Sequence, residues 1–194
     1  FLLLALSVAM VLVSIAISQT LLAGALFGVL WLQAREGHIL ERWPPAGWPL
    51  LFFFGWTIIA ALASSDIPLG LTIVKKFFLF LVLFLVPTLL GSGGRISWSY
   101  RLVFAVSALS AAAGVTQYLL HPERDLLHRT SGFMSHWMTY SGLLMLVLVM
   151  LGAYGLAHGM GRMGWTPALA LLLSGALALS LTRNAWLGAV AGLA

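Results

Sequence analysis

The sequence predicts an all-α, polytopic integral membrane protein: a helical bundle of about seven transmembrane helices with a partial eighth and no β-sheet. Of its 194 residues, 61% are hydrophobic and 8% are charged, and the mean hydropathy is +1.04. Soluble domains carry about 25% charged residues. Several apolar runs approach the ~20 residues that a membrane-spanning helix needs. No run alternates apolar and polar residues with the period of a strand.

The first apolar run, residues 1–32, is too long for one ordinary span. A polar patch lies at its centre and consists of Ser14, Ser18, Gln19 and Thr20. We therefore expect two short helices that meet near residues 18–20 and form a hairpin starting in the cytoplasm. One long, tilted helix would also satisfy the length.

The later apolar runs predict helices over residues 48–63, 71–90, 100–120, 137–157 and 166–181, with a further helix after Arg183. Residues 64–68 read as a short turn, and the glycines of residues 91–95 indicate a flexible connector. Residues 121–136 are the most polar segment. We expect residues 1–194 to form a single transmembrane domain, the N-terminal part of a longer protein.

Composition also excludes several function classes. The net charge is +5, but the basic residues stand singly or in pairs between apolar runs, which is typical of membrane helices and not of nucleic-acid binding. The absence of cysteine excludes disulfides, thiolate metal sites and a cysteine nucleophile. The histidine spacings match no compact metal motif, and no phosphate-binding glycine loop or dinucleotide fingerprint is present. We predict no cofactor and no metal.

Aromatic residues near the ends of apolar runs predict an interfacial belt. The set is Trp31, Trp43, Trp48, Trp98, Tyr100, Tyr118, Trp137, Tyr140, Tyr154 and Trp165. Three pairs of glycines spaced four apart, 24/28, 155/159 and 188/192, would permit close helix contacts, although this spacing is common in membrane helices.

The positive-inside rule does not orient the chain, because alternation of the predicted helices divides the ten cations evenly. Arg35, Arg42, Arg95, Arg101 and Arg162 fall on the cytoplasmic side, and Lys75, Lys76, Arg124, Arg129 and Arg183 fall on the other. Residues 121–136 are expected on the same face as Arg183, since two helices separate them.

Arg183 is the most informative residue, because it is the only charge between Trp165 and Ala194. A guanidinium keeps its charge at any relevant pH. Its placement at bilayer depth costs about 2.5–3.5 kcal/mol on insertion scales unless water, an anion or snorkelling relieves it. Two interpretations follow: an arginine that snorkels to the interface beside Trp186, or a functional anion site.

Two strings resemble motifs of the O-antigen ligase and O-antigen polymerase family. One is Thr-Arg-Asn-Ala-Trp-Leu-Gly at residues 182–188, after a long Ala/Leu helix. The other is Arg-Thr-Ser-Gly-Phe-Met-Ser-His-Trp-Met-Thr-Tyr-Ser-Gly at residues 129–142, at the right distance upstream. The two strings occur in order within a polytopic chain, and the resemblance covers most of its length.

The resemblance implies a metal-independent, inverting glycosyltransferase of the bacterial inner membrane. Such enzymes transfer a glycan from an undecaprenyl-pyrophosphate carrier to lipid A-core, to another repeat unit or to a protein, on the periplasmic face. It implies Arg183 as the catalytic residue and Arg183, Arg129 and Lys76 as substrate-binding residues. Membrane lipids are further partners. The family's general base belongs to a later loop outside this chain, so the chain alone is expected to be inactive.

Each of these assignments has an alternative explanation in which the residue has only a structural role. Arg129 is equally explained as an anchor where the sixth helix begins, with Ser135 as the capping residue. Lys75 and Lys76, at the predicted start of the fourth helix, oppose the helix dipole; a lipid phosphate or snorkelling would relieve the conflict. A rival from another class is half of a transporter or flippase whose arginine binds an anion at a broken helix.

Overall fold

The structure is a computed structural model that describes residues 1–36, 47–120, 129–158 and 164–194. These residues form α1 (Leu2–Met10), α2 (Ile15–Glu36), α3 (Gly47–Leu62), α4 (Ile67–Lys75), a 3₁₀ helix (Lys76–Leu81), α5 (Val82–Leu89), α6 (Gly93–Leu120), α7 (Trp137–His158), α8 (Trp165–Leu179) and α9 (Arg183–Leu193). The all-α prediction is confirmed, since the described ranges contain no strand.

Three helices, α2, α6 and α7, are long and apolar enough to cross a membrane. Shorter apolar helices account for most of the rest. The predicted number of about seven spans therefore stays a prediction. The chain divides into two compact units, one of residues 1–4 and 19–96 and one of residues 5–18 and 97–194.

The first apolar run is two helices, as predicted, but the break was placed wrongly. The chain turns at residues 11–14, and α2 continues through residues 18–20 as regular helix. Of the polar patch, Ser14 lies in the turn, whereas residues 18–20 lie inside α2, where the Ser7 hydroxyl donates to the Ser18 carbonyl at 2.8 Å. α1 thus folds back on the start of α2. At 1.5 Å per residue, its nine residues extend only about 14 Å, less than half of a bilayer core.

We predict that Ser7→Cys combined with Ser18→Cys forms a disulfide under mild oxidation, because the two hydroxyl oxygens lie 3.4 Å apart. The chain has no cysteine of its own, so maleimide additions counted by mass spectrometry after denaturation report the bond directly. The pair Ser7→Cys and Ile17→Cys is the matched control, since Ile17 is exposed. If both double-cysteine variants added two maleimides after oxidation, the fold-back of α1 would be contradicted.

The fourth predicted helix, residues 71–90, is wrong in its start and in its continuity. α4 begins at Ile67, where the Asp66 carboxylate accepts a hydrogen bond of 3.0 Å from the Leu69 N–H and caps the helix. Residues 64–68 are therefore only partly a turn. A 3₁₀ segment then separates α4 from α5. Gly70 allows α4 to approach the Ala61 backbone of α3 so closely that a Cβ would collide with it.

This correction changes the meaning of the two lysines. Lys75 is the last residue of α4, and Lys76 is the first residue of the 3₁₀ helix. The end of an α-helix favours cations. The predicted conflict with the helix dipole therefore does not exist, and neither a lipid phosphate nor snorkelling is needed to relieve it.

The predicted connector at residues 91–95 is also shorter than expected. α6 begins at Gly93 and includes Arg95, whose guanidinium donates to the Leu89 carbonyl at 3.2 Å.

In the first unit, α5 and the 3₁₀ helix pack on α2 through Leu22, Ala25, Val29 and Leu85, all buried.

The core of the second unit consists mainly of α6, α7, α8 and α9. α7 contacts both α8 and α9 extensively. Gly188 of α9 lies against Met145 of α7, and Gly192 lies against Val149, each so closely that no Cβ would fit. The residue offset is the same in both pairs, so α9 runs parallel to α7. The predicted pair 188/192 therefore forms a helix contact, and residue 159 of the pair 155/159 lies outside the described residues.

A candidate anion-binding site at the α8–α9 elbow

The elbow between α8 and α9 consists of Ser180, Leu181 and Thr182. The Ser180 hydroxyl donates to the Leu177 carbonyl at 2.7 Å, and the Thr182 hydroxyl donates to the Ser180 carbonyl at 3.1 Å. Leu181 has φ = +53°, a left-handed conformation that is strained for a residue with a Cβ. The hydroxyl bonds satisfy carbonyls that the end of α8 leaves open, and they hold this turn.

Trp186 completes the elbow. Its indole N–H donates to the Leu177 carbonyl at 2.9 Å, across the bend. The Thr182 carbonyl accepts from the backbone N–H groups of Ala185 and Trp186 at 3.1 and 3.2 Å. The tryptophan expected as an interfacial neighbour of Arg183 thus has a structural bond, and residues 180–186 form one bonded unit.

Arg183 is the first residue of α9, as the sequence indicated, and its side chain is exposed. Among the residues that the structure describes, its guanidinium has no hydrogen-bonding or ionic partner. Thr182 makes no side-chain cap to α9, and the backbone N–H groups of Arg183 and Asn184 have no acceptor in the described ranges. A guanidinium and two unpaired N–H groups at the positive end of a helix dipole form an arrangement suited to an anion.

The loop before α7 carries the second family-like string. Gly132 has φ = +58°, which suits glycine. The Gln117 side chain of α6 holds it at both backbone groups: Nε2 donates to the Gly132 carbonyl at 2.6 Å, and Oε1 accepts from the Gly132 N–H at 3.0 Å. Sequence reasoning missed Gln117. Its only signal in the sequence was a polar amide near the end of a predicted span.

Tyr140 of α7 fixes the same loop from the other side. It was predicted in the interfacial belt, but it is 1% exposed and lies in the core. One edge of its ring contacts Gly114 of α6 and the other contacts Gly132, so closely that neither position has space for a Cβ. Its hydroxyl donates to the Ser110 carbonyl at 3.2 Å. The loop is therefore held by two helices.

We predict that Gly114→Ala destabilises the protein by about 1–3 kcal/mol, the usual cost of overpacking a core. The added methyl would meet the Tyr140 hydroxyl and ring. Gly142→Ala is the matched control, because it lies in a helix with open space at its Cβ and gains helix propensity. The measurement is the melting temperature in detergent. Equal melting temperatures for the two variants would contradict the wedged position of Tyr140.

Arg129 and His136 flank this loop and both contact Trp137. The Arg129 guanidinium lies over the Trp137 ring at 4.1 Å, and the His136 ring stacks on it at 5.4 Å. His136, not the expected Ser135, caps α7: its Nδ1 accepts from the Met138 N–H at 3.2 Å. Thr130, next to Arg129, is 4% exposed, and its hydroxyl has no partner in the described part of the chain. A buried, unpaired hydroxyl is costly.

The structure brings the loop and Arg183 to the same end of the second unit. The parallel contacts of α9 on α7 place Arg183 at the level of Tyr140, about one helical turn from the start of α7. This agrees with the expected placement for residues 129–136; residues 121–128, with Glu123 and Asp125, lie outside the described residues. Lys76 belongs to the first unit.

The described residues of the second unit carry basic but no acidic side chains. Its described residues include Arg101, Arg129 and Arg183 but no aspartate or glutamate side chain. No described carboxylate of this unit therefore pairs with Arg101 or Arg183.

We predict that Ser135→Cys and Asn184→Cys are labelled by a membrane-impermeant thiol reagent from one side of the membrane, and His158→Cys from the other. α7 is 22 residues long, or about 33 Å, which matches a bilayer core. Each single-cysteine variant is tested in intact cells and in inverted vesicles. Labelling of Ser135→Cys and Asn184→Cys from opposite sides would refute the parallel arrangement of α7 and α9.

Comparison with known proteins finds no family model that matches the chain, and no curated protein or solved structure with significant similarity. The resemblance to the O-antigen ligase family thus rests on the two strings alone.

Proposed function

We propose that the chain is part of a metal-independent, inverting membrane glycosyltransferase of the O-antigen ligase type. It would transfer a glycan from an undecaprenyl-pyrophosphate carrier to lipid A-core or another acceptor. The observation that carries the proposal is the geometry at Arg183: an exposed guanidinium without a partner in the described residues, on a helix N-terminus with two unpaired N–H groups.

Glycan transfer is favoured by a fixed cation that lies next to the leaving pyrophosphate. The acceptor hydroxyl attacks the anomeric carbon, and the bond from that carbon to the phosphate oxygen breaks. The electron pair leaves with the pyrophosphate, whose negative charge grows in the transition state. Donors that are already oriented stabilise such charge without reorganising, and guanidinium meets phosphate oxygens in a bidentate fork. A general base, which the resemblance assigns to a later loop, would take the acceptor's proton.

The depth of Arg183 supports a site over a simple anchor. α8 has 15 residues, about 22 Å of helix, which is shorter than the ~30 Å bilayer core. Trp165, 42% exposed, begins α8 and marks an interface. The elbow then lies below the opposite surface, where an unpaired guanidinium is costly. The bonded turn fixes the start of α9, so the backbone of Arg183 has little freedom to move outward.

Arg129 is the proposed second contact for the pyrophosphate, with the unpaired Thr130 hydroxyl beside it. Both lie at the end of the unit that carries Arg183. Lys76 stays a proposed substrate contact on the resemblance only. We further propose the bacterial inner membrane as the location, with about seven spans, a partial eighth and the active end on the periplasmic face.

Two alternative functions would use Arg183 to bind the same pyrophosphate anion. An O-antigen polymerase would use the site for another repeat unit as acceptor. A transporter or flippase half is favoured by one observation: the α8–α9 elbow is a broken helix whose second half presents its N-terminus beside an arginine, as anion sites of transporters do.

We predict that Arg183→Ala lowers glycan transfer by about 100–1000-fold, the typical loss when one transition-state donor is removed. Arg183→Lys should fail almost as badly, because a point charge does not replace the fork. Transfer is measured in membranes at equal expression of the full-length protein. Arg35→Ala is the control, since Arg35 is an exposed arginine of the first unit that stacks on Trp31 at 4.0 Å.

Wild-type transfer by Arg183→Lys would return Arg183 to a snorkelling anchor, because lysine snorkels as well. Intact transfer with lost movement of the lipid-linked glycan across the bilayer would favour the transporter.

A further inference from the structure

The second unit has an open groove of about 440 Å³ between α6 and α8, within the roughly 300–1,000 Å³ of small-molecule sites. Its walls are Phe104, Ala105, Ala108, Trp165, Ala168, Leu169 and Leu172, with Arg101 as the one charged lining residue. Neither the proposed glycan transfer nor the family-like strings involve this groove.

Arg101 stands at one end of an apolar strip. Residues 101, 104/105 and 108 recur at the spacing that puts side chains on one helix face, so the cation and the apolar wall of α6 lie in line. Arg101 is exposed, and within the described ranges it has no hydrogen-bonding or ionic partner. No described carboxylate of the unit neutralises it. The groove therefore matches a ligand with an anionic head and an apolar chain.

Two aromatic residues at the charged end of the groove favour a membrane surface at that level. Tyr100 precedes Arg101 in α6, and Trp165, 42% exposed, packs against Phe104 with ring centroids 5.7 Å apart. Tyrosine and tryptophan concentrate at the membrane–water interface. An anionic headgroup at that level would meet Arg101, and its chain would follow the groove toward the bilayer centre.

The groove lies far from the glycan-transfer site. Gln117 of α6 holds the loop at the Arg183 end, and the 16 residues from Arg101 to Gln117 span about 24 Å of helix. A ligand at Arg101 thus cannot be the pyrophosphate at Arg183.

We propose that this groove binds one anionic phospholipid of the surrounding leaflet. Its phosphate pairs with the Arg101 guanidinium, and one acyl chain lies between Ala105 and Ala108 of α6 and Ala168 and Leu172 of α8. Small alanine side chains leave the space for the chain, and arginine supplies the bidentate partner for the phosphate.

Native mass spectrometry of the purified full-length protein tests the proposal with phosphatidylglycerol and phosphatidylcholine of equal chain length. Wild type should retain one phosphatidylglycerol at lower lipid concentration than phosphatidylcholine. Arg101→Gln should weaken phosphatidylglycerol retention by about tenfold, the effect of losing one hydrogen-bonded charge contact, and should remove the preference over phosphatidylcholine, whose phosphate is offset by its own choline cation. Ala105→Trp, at an exposed position, should fill the groove and weaken both lipids.

Arg35→Gln removes the same charge outside the groove and should retain both lipids as wild type does. Equal phosphatidylglycerol retention by Arg101→Gln and wild type would overturn the headgroup contact. If Ala105→Trp retained both lipids as well as wild type does, the groove would not be the binding place. Glycan transfer measured on the same variants keeps the two proposals separate, because loss of lipid retention is expected without loss of the Arg183 chemistry.

Discussion

The second unit depends on the packing of one side chain, Tyr140. A full-sized aromatic ring fits between α6 and the loop before α7 only because residues 114 and 132 are glycines. Interiors are close-packed, so such a ring leaves its neighbours no freedom to shift. The Gln117 amide adds two directed bonds to the same loop. Together they turn a polar surface segment into a fixed platform, on which Arg129 lies over the Trp137 ring.

In the described part of the second unit, Arg101 and Arg183 pair with no carboxylate side chain. Arg129 and Arg183 lie at one end and Arg101 lies toward the other, and the described residues between them hold no carboxylate. A buried ion pair would need a partner inside the apolar core, at a desolvation cost that the pair rarely recovers. Arg101 and Arg183 are exposed at the ends of the unit, so they need no such partner inside the core.

Sequence reasoning predicted the helices where apolar runs were long and clearly bounded, as for α3 and α7, and it predicted that a new helix begins at Arg183. It failed where hydropathy alone decided a boundary. Asp66 followed by Ile67 and Pro68 is a helix-start signal. It was missed because the serines, aspartate and proline of residues 64–68 were interpreted as a turn. The break in residues 1–32 was assigned to residues 18–20, which lie inside α2, where the Ser18 carbonyl accepts from the Ser7 hydroxyl.

The contacts that shape the candidate site could not be predicted in the same way. Gln117 and Gly132 are 15 residues apart in the chain, and Tyr140 reaches Ser110 across 30 residues. Periodicity within one helix carries no information on which neighbouring helix supplies the partner. The family-like strings pointed to Arg183 and Arg129, whereas the elbow bonds of Ser180 and Trp186 emerged only from the folded chain.

The left-handed Leu181 has a consequence for how this chain can vary over evolution. A leucine with φ = +53° costs free energy that glycine or asparagine would not. The strain persists because the hydroxyls of Ser180 and Thr182 and the indole of Trp186 leave the turn no other shape. In homologous chains, position 181 should therefore change readily to glycine or asparagine and exclude valine, isoleucine and threonine. Ser180, Thr182 and Trp186, which bond across the turn, should change only together.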